Sequence, residues 1–321
     1  CKNIYHMNLE PNIIILSGGT GPERNVSLAS GKALAASLST TYKTKLVDIN
    51  KNALPSELNP LTDLVFPVIH GEFGEDGQLQ SLMDSAGLEY CGSATQSSRL
   101  CINKITTKQC VSDVGVRVPK SFQFSDPAQC NAAELIDKLG ENLVIKPVAQ
   151  GSSVSLFLIS GLSELEKQLD ELSPGDWMVE ARVYGREVTI GVLGNHPLGV
   201  VEVIPMGGVY DYERKYTSGA TEYRFPAVLD QETENEIKSF ATSSFEACGC
   251  RDFARIDFII CEDGNAHFLE INTLPGLTPT SLLPKSASSS GYNFDQLTRK
   301  LISPGLERFF NSSSRVNNHA A

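Results

Sequence analysis

The chain contains no run of 18 apolar residues, and residues 1–11 lack the charged and apolar regions of a secretory signal. Neither a membrane-spanning helix nor a signal peptide is read from it, and a soluble cytoplasmic protein is the expectation. CxxC pairs are absent too: the eight cysteines stand at 1, 91, 101, 110, 130, 248, 250 and 261. That scatter fits reduced cytosolic thiols rather than a disulfide scaffold. Positive charge is in deficit, with 27 Lys and Arg against 38 Asp and Glu and a net charge of −11. Such a chain repels polyanions, so nucleic acid is not an expected partner. Any phosphate it handles must be met by local cations, backbone N–H groups and a divalent metal. Both nucleotide fingerprints, GxGxxG and GxxxxGKS or GxxxxGKT, are missing. So are GxSxG, HExxH and the kinase HRD set, while the five His residues are scattered.

What remains is a foldable chain of 321 residues, 41% hydrophobic and 20% charged, long enough for two or three domains. Asn12 to Leu16 reads as a strand, Ser17 to Gly21 as a glycine-rich turn and Val26 to Leu38 as a helix. Strands at 45–48 and 64–69 and a helix after Gly77 complete a parallel α/β unit, whose ligand crevice is expected at the carboxyl ends of its strands, where His70 falls. From Ser97 a helix is predicted through Asp113, then a strand at 119–124 and a helix at 132–139. A hairpin-like pair at 143–147 and 155–159 follows, joined by small residues. Beyond a helix at 162–172 come strands at 177–179, 187–193 and 199–204. Residues 206–225, polar and rich in Gly and Tyr, form a long candidate functional loop. A helix at 232–247 and strands at 253–261 and 266–271 follow, and residues 311–321 are expected to fray.

The strongest local constellation is Arg255-Ile256-Asp257 with Glu270-Ile271-Asn272. If these strands are neighbours, period-two alternation puts Arg255 and Asp257 on one face, and Glu270 and Asn272 on one face. Oxygen ligands alone suit Mg²⁺, and Arg255 beside them can neutralise a phosphoryl group or an oxyanion. A salt-bridged pair of half-exposed strands is the plainer alternative. Lys104, Lys146 and Lys215 sit in apolar or small-residue settings where each can meet a phosphate, although each alone also reads as a surface lysine. A tight turn would likewise account for the glycines of 17–21.

Taken together, Gly18-Gly19-Thr20 with Glu23-Arg24-Asn25-Val26-Ser27, and His70-Gly71 with Gly74-Glu75-Asp76-Gly77, resemble the amino-terminal signature of the D-alanine:D-alanine ligases. Arg255-Ile256-Asp257, Glu270 to Gly276 and Thr278-Pro279-Thr280-Ser281-Leu282 resemble the carboxy-terminal one, and the likeness runs from about residue 12 to about residue 310. It implies an α/β (α+β) chain with an ATP-grasp fold and an amino-terminal parallel α/β domain: residues 1–97 for the first substrate, 98–183 as the central subdomain and 184–321 as the carboxy-terminal subdomain. It implies that ATP activates one D-alanine as an acyl phosphate, which the amine of a second D-alanine attacks, for peptidoglycan precursor synthesis.

By the same resemblance Lys104, Lys146, Ser152, Glu180, Glu187 and Lys215 bind ATP. Asp257, Glu270 and Asn272 hold Mg²⁺ or Mn²⁺, expected as two ions. Glu23, His70, Ser281 and Leu282 hold the amino acids, and Arg255 and the N–H of Gly276 stabilise the oxyanion. Glu23, Ser152 and Tyr216 form a set tying the long loop down, with Tyr216 favouring the dipeptide over a D-lactate ester. D-Ala-D-Ser or D-Ala-D-Lac formation, or a catalytically silent nucleotide-binding homologue, are the alternatives. A homodimer is the family expectation. The Cys1 start leaves open a fragment, a processed product or a fusion to another cell-wall enzyme.

Overall fold

The computed structural model describes residues 10–150, 155–205 and 221–319, with side chains as far as 312. Its frame is three sheets. The first is parallel, in the order β2-β1-β3-β4, from β1 (Asn12–Gly18), β2 (Thr44–Ile49), β3 (Asp63–Pro67) and β4 (Glu89–Tyr90). Helices α1 (Arg24–Leu38) and α2 (Gln78–Ser85) connect its strands. β1 and β3 are buried along nearly their whole length, as parallel strands covered on both faces must be.

The second sheet is antiparallel, in the order β5-β8-β6-β7: β5 (Ser121–Phe124), β6 (Asn142–Pro147), β7 (Phe157–Ser160) and β8 (Trp177–Ala181). Helices α5 (Ala132–Leu139) and α6 (Leu162–Glu171) pack Leu135, Leu165 and Leu169 against Leu143, Ile145 and Val179. The third sheet, β11-β10-β9-β12-β13, is built from β9 (Arg186–Leu193), β10 (His196–Pro205), β11 (Thr221–Arg224), β12 (Phe253–Ile260) and β13 (Ala266–Asn272). Helix α7 (Gln231–Ala247) covers one face of it through Ile237, Ala241 and Phe245.

Three expectations change. The helix predicted over 97–113 is two helices, α3 (Thr95–Ile102) and α4 (Lys104–Asp113). Asn103 between them is extended, and its side chain accepts the N–H groups of Ile105 and Thr106, an N-cap that starts a new helix inside a helical pattern. The last four residues before Phe225 in the predicted loop 206–225 are strand β11, paired with β10; residues 206–220 lie outside the described residues. The tail expected to fray continues a helix, α9 (Phe294–His319), which follows α8 (Leu282–Ser289). Leu297, Leu301 and Phe309 of α9 are buried in one core with Ile13 and Phe66 of the first sheet, Leu34 of α1 and Phe253 of the third sheet; that anchoring holds the helix. Among the described residues no helix is long and apolar enough to cross a membrane.

Candidate active site

A cleft of about 440 Å³ opens between the second and third sheets, lined by Lys104, Lys146, Glu180, Glu187, Arg255, Asp257 and Glu270 together with apolar side chains of both sheets. Its third-sheet wall follows from strand register. β12 and β13 pair antiparallel with Arg255 opposite Asn272 and Asp257 opposite Glu270, so all four side chains share one face, as the alternation predicts. Asp257 receives both guanidinium arms of Arg255, at 2.9 and 2.8 Å, and the Thr189 hydroxyl at 2.5 Å. Arg255 is only 5% exposed. The ion pair of the plainer alternative therefore exists, but it stands in a cleft with a second carboxylate and an amide beside it. Asn272 Oδ1 accepts the Leu274 N–H at 3.1 Å, which leaves its second lone pair. Two carboxylates and an amide oxygen are a hard donor set that fits Mg²⁺, which takes one or two protein carboxylates and completes its shell with phosphate and water. No group of three His, Cys, Asp or Glu side chains arranged to hold a metal occurs among the described residues.

The second-sheet wall carries the opposite sign. Glu180 on β8 is 3% exposed and takes Lys108 on one oxygen and Lys146 on the other, the latter at 2.5 Å. Burial alone would push the Glu180 carboxyl up, but the two ammonium groups overrule it and hold it down at about 2. Burial draws Lys108 down to about 8 against the pull of Glu180. Lys104, the first residue of α4, is buried, donates to the Gln150 carbonyl at 2.5 Å and stands 3.8 Å from Glu270. Burial lowers its ammonium while Glu270 opposes the shift. Two lysines thus clasp one buried glutamate with a third beside them, and positive charge is in surplus where a polyphosphate would enter. Lys108 has no assigned role in the sequence. Its signal was there: it lies four residues after Lys104, on the same face of one helix.

The glycine-rich turn is no phosphate cradle. The Gly18 N–H donates to Ser27 Oγ at 2.8 Å and the Gly19 N–H to the Ile49 carbonyl at 2.7 Å. Gly18 adopts φ +97, and a Cβ there would lie 2.4 Å from Asp48 and 2.6 Å from Arg24, so glycine makes room for that ion pair. Glu23 precedes α1, and its Oε2 would lie 3.5 Å from a Cβ at Gly71, facing the loop after β3. His70 in that loop is 8% exposed, with Nδ1 3.9 Å from Glu75 and no protein partner on Nε2. An orphaned buried ring nitrogen beside a carboxylate fits a small polar ligand. Glu75, also unassigned in the sequence, accepts the Gly71 N–H at 2.6 Å. It borders a small cavity with Lys104, Glu270 and Asn272, and Lys104, Gln150 and Glu270 line both this cavity and the cleft.

Ser281 opens α8; its Oγ accepts the Thr278 N–H at 3.1 Å and lies 3.0 Å from where a Gly276 Cβ would be. Gly276 and Ser281 are therefore adjacent. Leu282 buries its side chain with Val201 and Val203, so only its backbone can meet a ligand. Glu187 lies on β9 opposite Val203 and Ile259 and lines the cleft. Ser152, Lys215 and Tyr216 lie outside the described residues.

The family model for the D-ala D-ala ligase C-terminus matches residues 111–303, and that for the D-ala D-ala ligase N-terminus matches residues 53–93. The chain belongs to the D-alanine–D-alanine ligase family. It is 36% identical over 296 residues to the D-alanine–D-alanine ligase of Syntrophotalea carbinolica, an alignment covering 91% of this chain and 95% of that one. Among solved structures, the Bacillus anthracis D-alanine–D-alanine ligase complexed with ATP matches with a TM-score of 0.82 at 26% identity, over 94% of this chain and 99% of its own. The VanG D-Ala:D-Ser ligase from Enterococcus faecalis matches at 0.80 and 30% identity, over 92% and 99%. The ligase family's ATP-grasp fold is accordingly the fold of this member.

Proposed function

We propose that this ligase-family member joins two D-alanines into D-alanyl-D-alanine for peptidoglycan precursors, converting ATP to ADP and phosphate through an acyl phosphate. The observation that carries the reading is the cleft with a lysine-rich wall facing an Asp257–Glu270–Asn272 wall, because ATP and its metal require both at once. Lys104 and Lys146 take the phosphate charge, and Glu180 keeps Lys146 extended towards it. Glu187 holds the ribose hydroxyls. Asp257, Glu270 and Asn272 would hold Mg²⁺, or Mn²⁺, as two ions once the phosphates supply the missing ligands. When bound, the metal neutralises charge on the transferring phosphoryl group.

Glu23 and His70 orient the first D-alanine so that its carboxylate oxygen forms a bond to the γ-phosphorus as the bond to ADP breaks. The amine of the second D-alanine, having shed a proton, then adds to the acyl carbon. Arg255 and the Gly276 N–H stabilise the oxyanion, and phosphate leaves. Ser281 and the backbone at Leu282 receive the second carboxylate at the start of α8. Roles for Ser152, Lys215 and Tyr216 in phosphate binding and in tying the long loop over the site rest on motif match alone. Excluding water in this way would protect the acyl phosphate. Residues 1–97, 98–183 and 184–321 are proposed as the first-substrate domain and the two halves of a clasp on ATP, in a cytoplasmic homodimer.

Purified chain incubated with ATP, Mg²⁺ and D-alanine, with D-serine and D-lactate in competition, tests the reading by product mass. D-Alanyl-D-alanine equal in amount to ADP is expected. Dominant D-Ala-D-Ser, which the likeness to the VanG ligase makes the second reading, would keep the mechanism and overturn the specificity. No ADP with any acceptor would overturn the function.

A further inference from the structure

Four cysteines that the proposed reaction does not use gather where α3, α4 and the turn after α7 meet. The Sγ atoms of Cys101 on α3 and Cys250 in the turn lie 3.6 Å apart. Cys248 stands beside Cys101 and Cys110, and the Cys110 thiol donates to the Ala247 carbonyl at 3.2 Å. The backbones that present these sulfurs are held close together by hydrogen bonds. Ser97, one turn earlier on α3, donates to the Gly249 carbonyl, and the N–H groups of Cys248 and Cys250 bond to the Ser244 and Phe245 carbonyls.

A disulfide needs the two sulfurs to close from 3.6 Å to about 2.05 Å, a shortening shared between side-chain rotation and a shift of α3 towards the turn. A thiolate metal site is the other use of such a cluster, but the arrangement offers no three ligands around one point among the described residues. Cys101 is buried and Cys250 half-buried, so a small oxidant meets Cys250 first.

We propose that Cys101 and Cys250 form an oxidisable dithiol whose disulfide pins α3 to the turn before β12 and weakens nucleotide binding. With hydrogen peroxide as oxidant, the Cys250 thiolate takes one oxygen, becoming a sulfenic acid as hydroxide leaves and is protonated. The Cys101 sulfur then attacks that sulfur. The S–O bond breaks, the S–S bond forms, and the departing hydroxide leaves as water with the Cys101 proton. Two thiols and one peroxide thus become one disulfide and two waters, sulfur being oxidised and peroxide reduced.

The link to the cleft is short. Cys101 borders the small cavity shared by Lys104, Glu270 and Asn272, and α3 leads through the Asn103 cap directly into Lys104. Drawing Cys101 onto Cys250 therefore pulls on the segment that aims a phosphate-binding lysine.

The test treats the full chain with hydrogen peroxide, maps tryptic peptides by mass, and measures ATP affinity with Mg²⁺ by calorimetry before oxidation, after it, and after dithiothreitol. Wild type and Cys248→Ser are expected to link peptide 100–104 to peptide 239–251 with loss of two hydrogens. Their ATP affinity should fall at least about fivefold and return with reductant, whereas Cys250→Ser should form no link and keep its affinity. No link in wild type would overturn the proposal, as would a link that survives in Cys250→Ser but not in Cys248→Ser. A link without any change in affinity would overturn the coupling to the cleft. The link is read without a ligase assay, so its absence leaves the proposed reaction untouched, whereas a reduced chain that does not bind ATP counts against the reaction instead.

Discussion

The two walls of the cleft are built from different chemistry and fail in different ways. On the third sheet, Asp257 and Glu270 outnumber Arg255, and their positions follow from the register of two adjacent strands. On the second, Lys104, Lys108 and Lys146 outnumber Glu180; Lys146 comes from β6 and Glu180 from β8, while Lys104 and Lys108 are brought in by helix α4. Each wall is left with a surplus of one sign, and a polyphosphate carrying its metal satisfies both together. The contrast teaches that one wall is set by backbone pairing and tolerates isosteric change structurally while losing chemistry, whereas the other is set by buried charge and loses stability as well.

The largest effect is expected on the carboxylate wall. Glu270→Gln keeps the shape of a part-exposed side chain but removes the charge, and kcat should drop by about 10²-fold or more with the melting temperature nearly unchanged, as activity and thermal unfolding measured on one preparation would show. Asp257→Ala should add a stability loss of about 3–5 kcal/mol, because it strands the buried Arg255 guanidinium. Equal melting temperatures for the two variants would break the distinction.

On the lysine wall, Lys108→Met and Lys146→Met should separate. Lys146 lines the cleft, so its loss raises KM for ATP. Lys108 lies behind it, 3% exposed, and its loss should cost about 3 kcal/mol of stability with a smaller change in KM. Urea unfolding and initial rates would distinguish the two, and indistinguishable profiles would contradict the assignment.

The third effect is on pH dependence. The folded pKa of Glu180, about 2, lies below its ordinary 4.5, so the unfolded chain binds more protons between those values. Its stabilisation is fully present above about pH 4.5 and is lost as pH falls towards 2. Lys108 behaves differently: with a folded pKa of about 8 against 10.5, the cost of holding its charge is relieved as pH rises through that window. Glu180→Gln should flatten the acid limb of melting temperature against pH, and an unaltered acid limb would break the charge argument. The smallest effect is expected at Ser281→Ala, an increase of about tenfold or less in KM for the second D-alanine with ATP binding unchanged, read from initial rates at saturating ATP.

The sequence made the carboxylate wall legible because period-two alternation needs only that two strands be neighbours; Arg255, Asp257, Glu270 and Asn272 fall where it puts them. Lys104, Lys146 and Glu180 were legible through motif resemblance, but their mutual pairing was not; Lys108 was passed over, and Glu75 stood in a signature without a role. Such pairings depend on which helix face docks on which sheet, which no local pattern encodes. The break at Asn103 was hidden because a capping residue inside a helical pattern looks like a tolerated polar residue until its side chain is seen on the next two N–H groups. The terminal helix was missed for the converse reason: its Ser- and Asn-rich end has weak helical propensity, and the core that anchors it is supplied by the first sheet, far away in sequence.

The most direct test of the two-wall account is ATP affinity measured by calorimetry with and without Mg²⁺ in wild type, Glu270→Gln and Lys146→Met. The account predicts that Mg²⁺ strengthens ATP binding in wild type and in Lys146→Met, whose overall affinity is lower, and that Glu270→Gln loses most of this enhancement. An enhancement undiminished in Glu270→Gln would contradict it, because the metal would then not be held by the β12–β13 face.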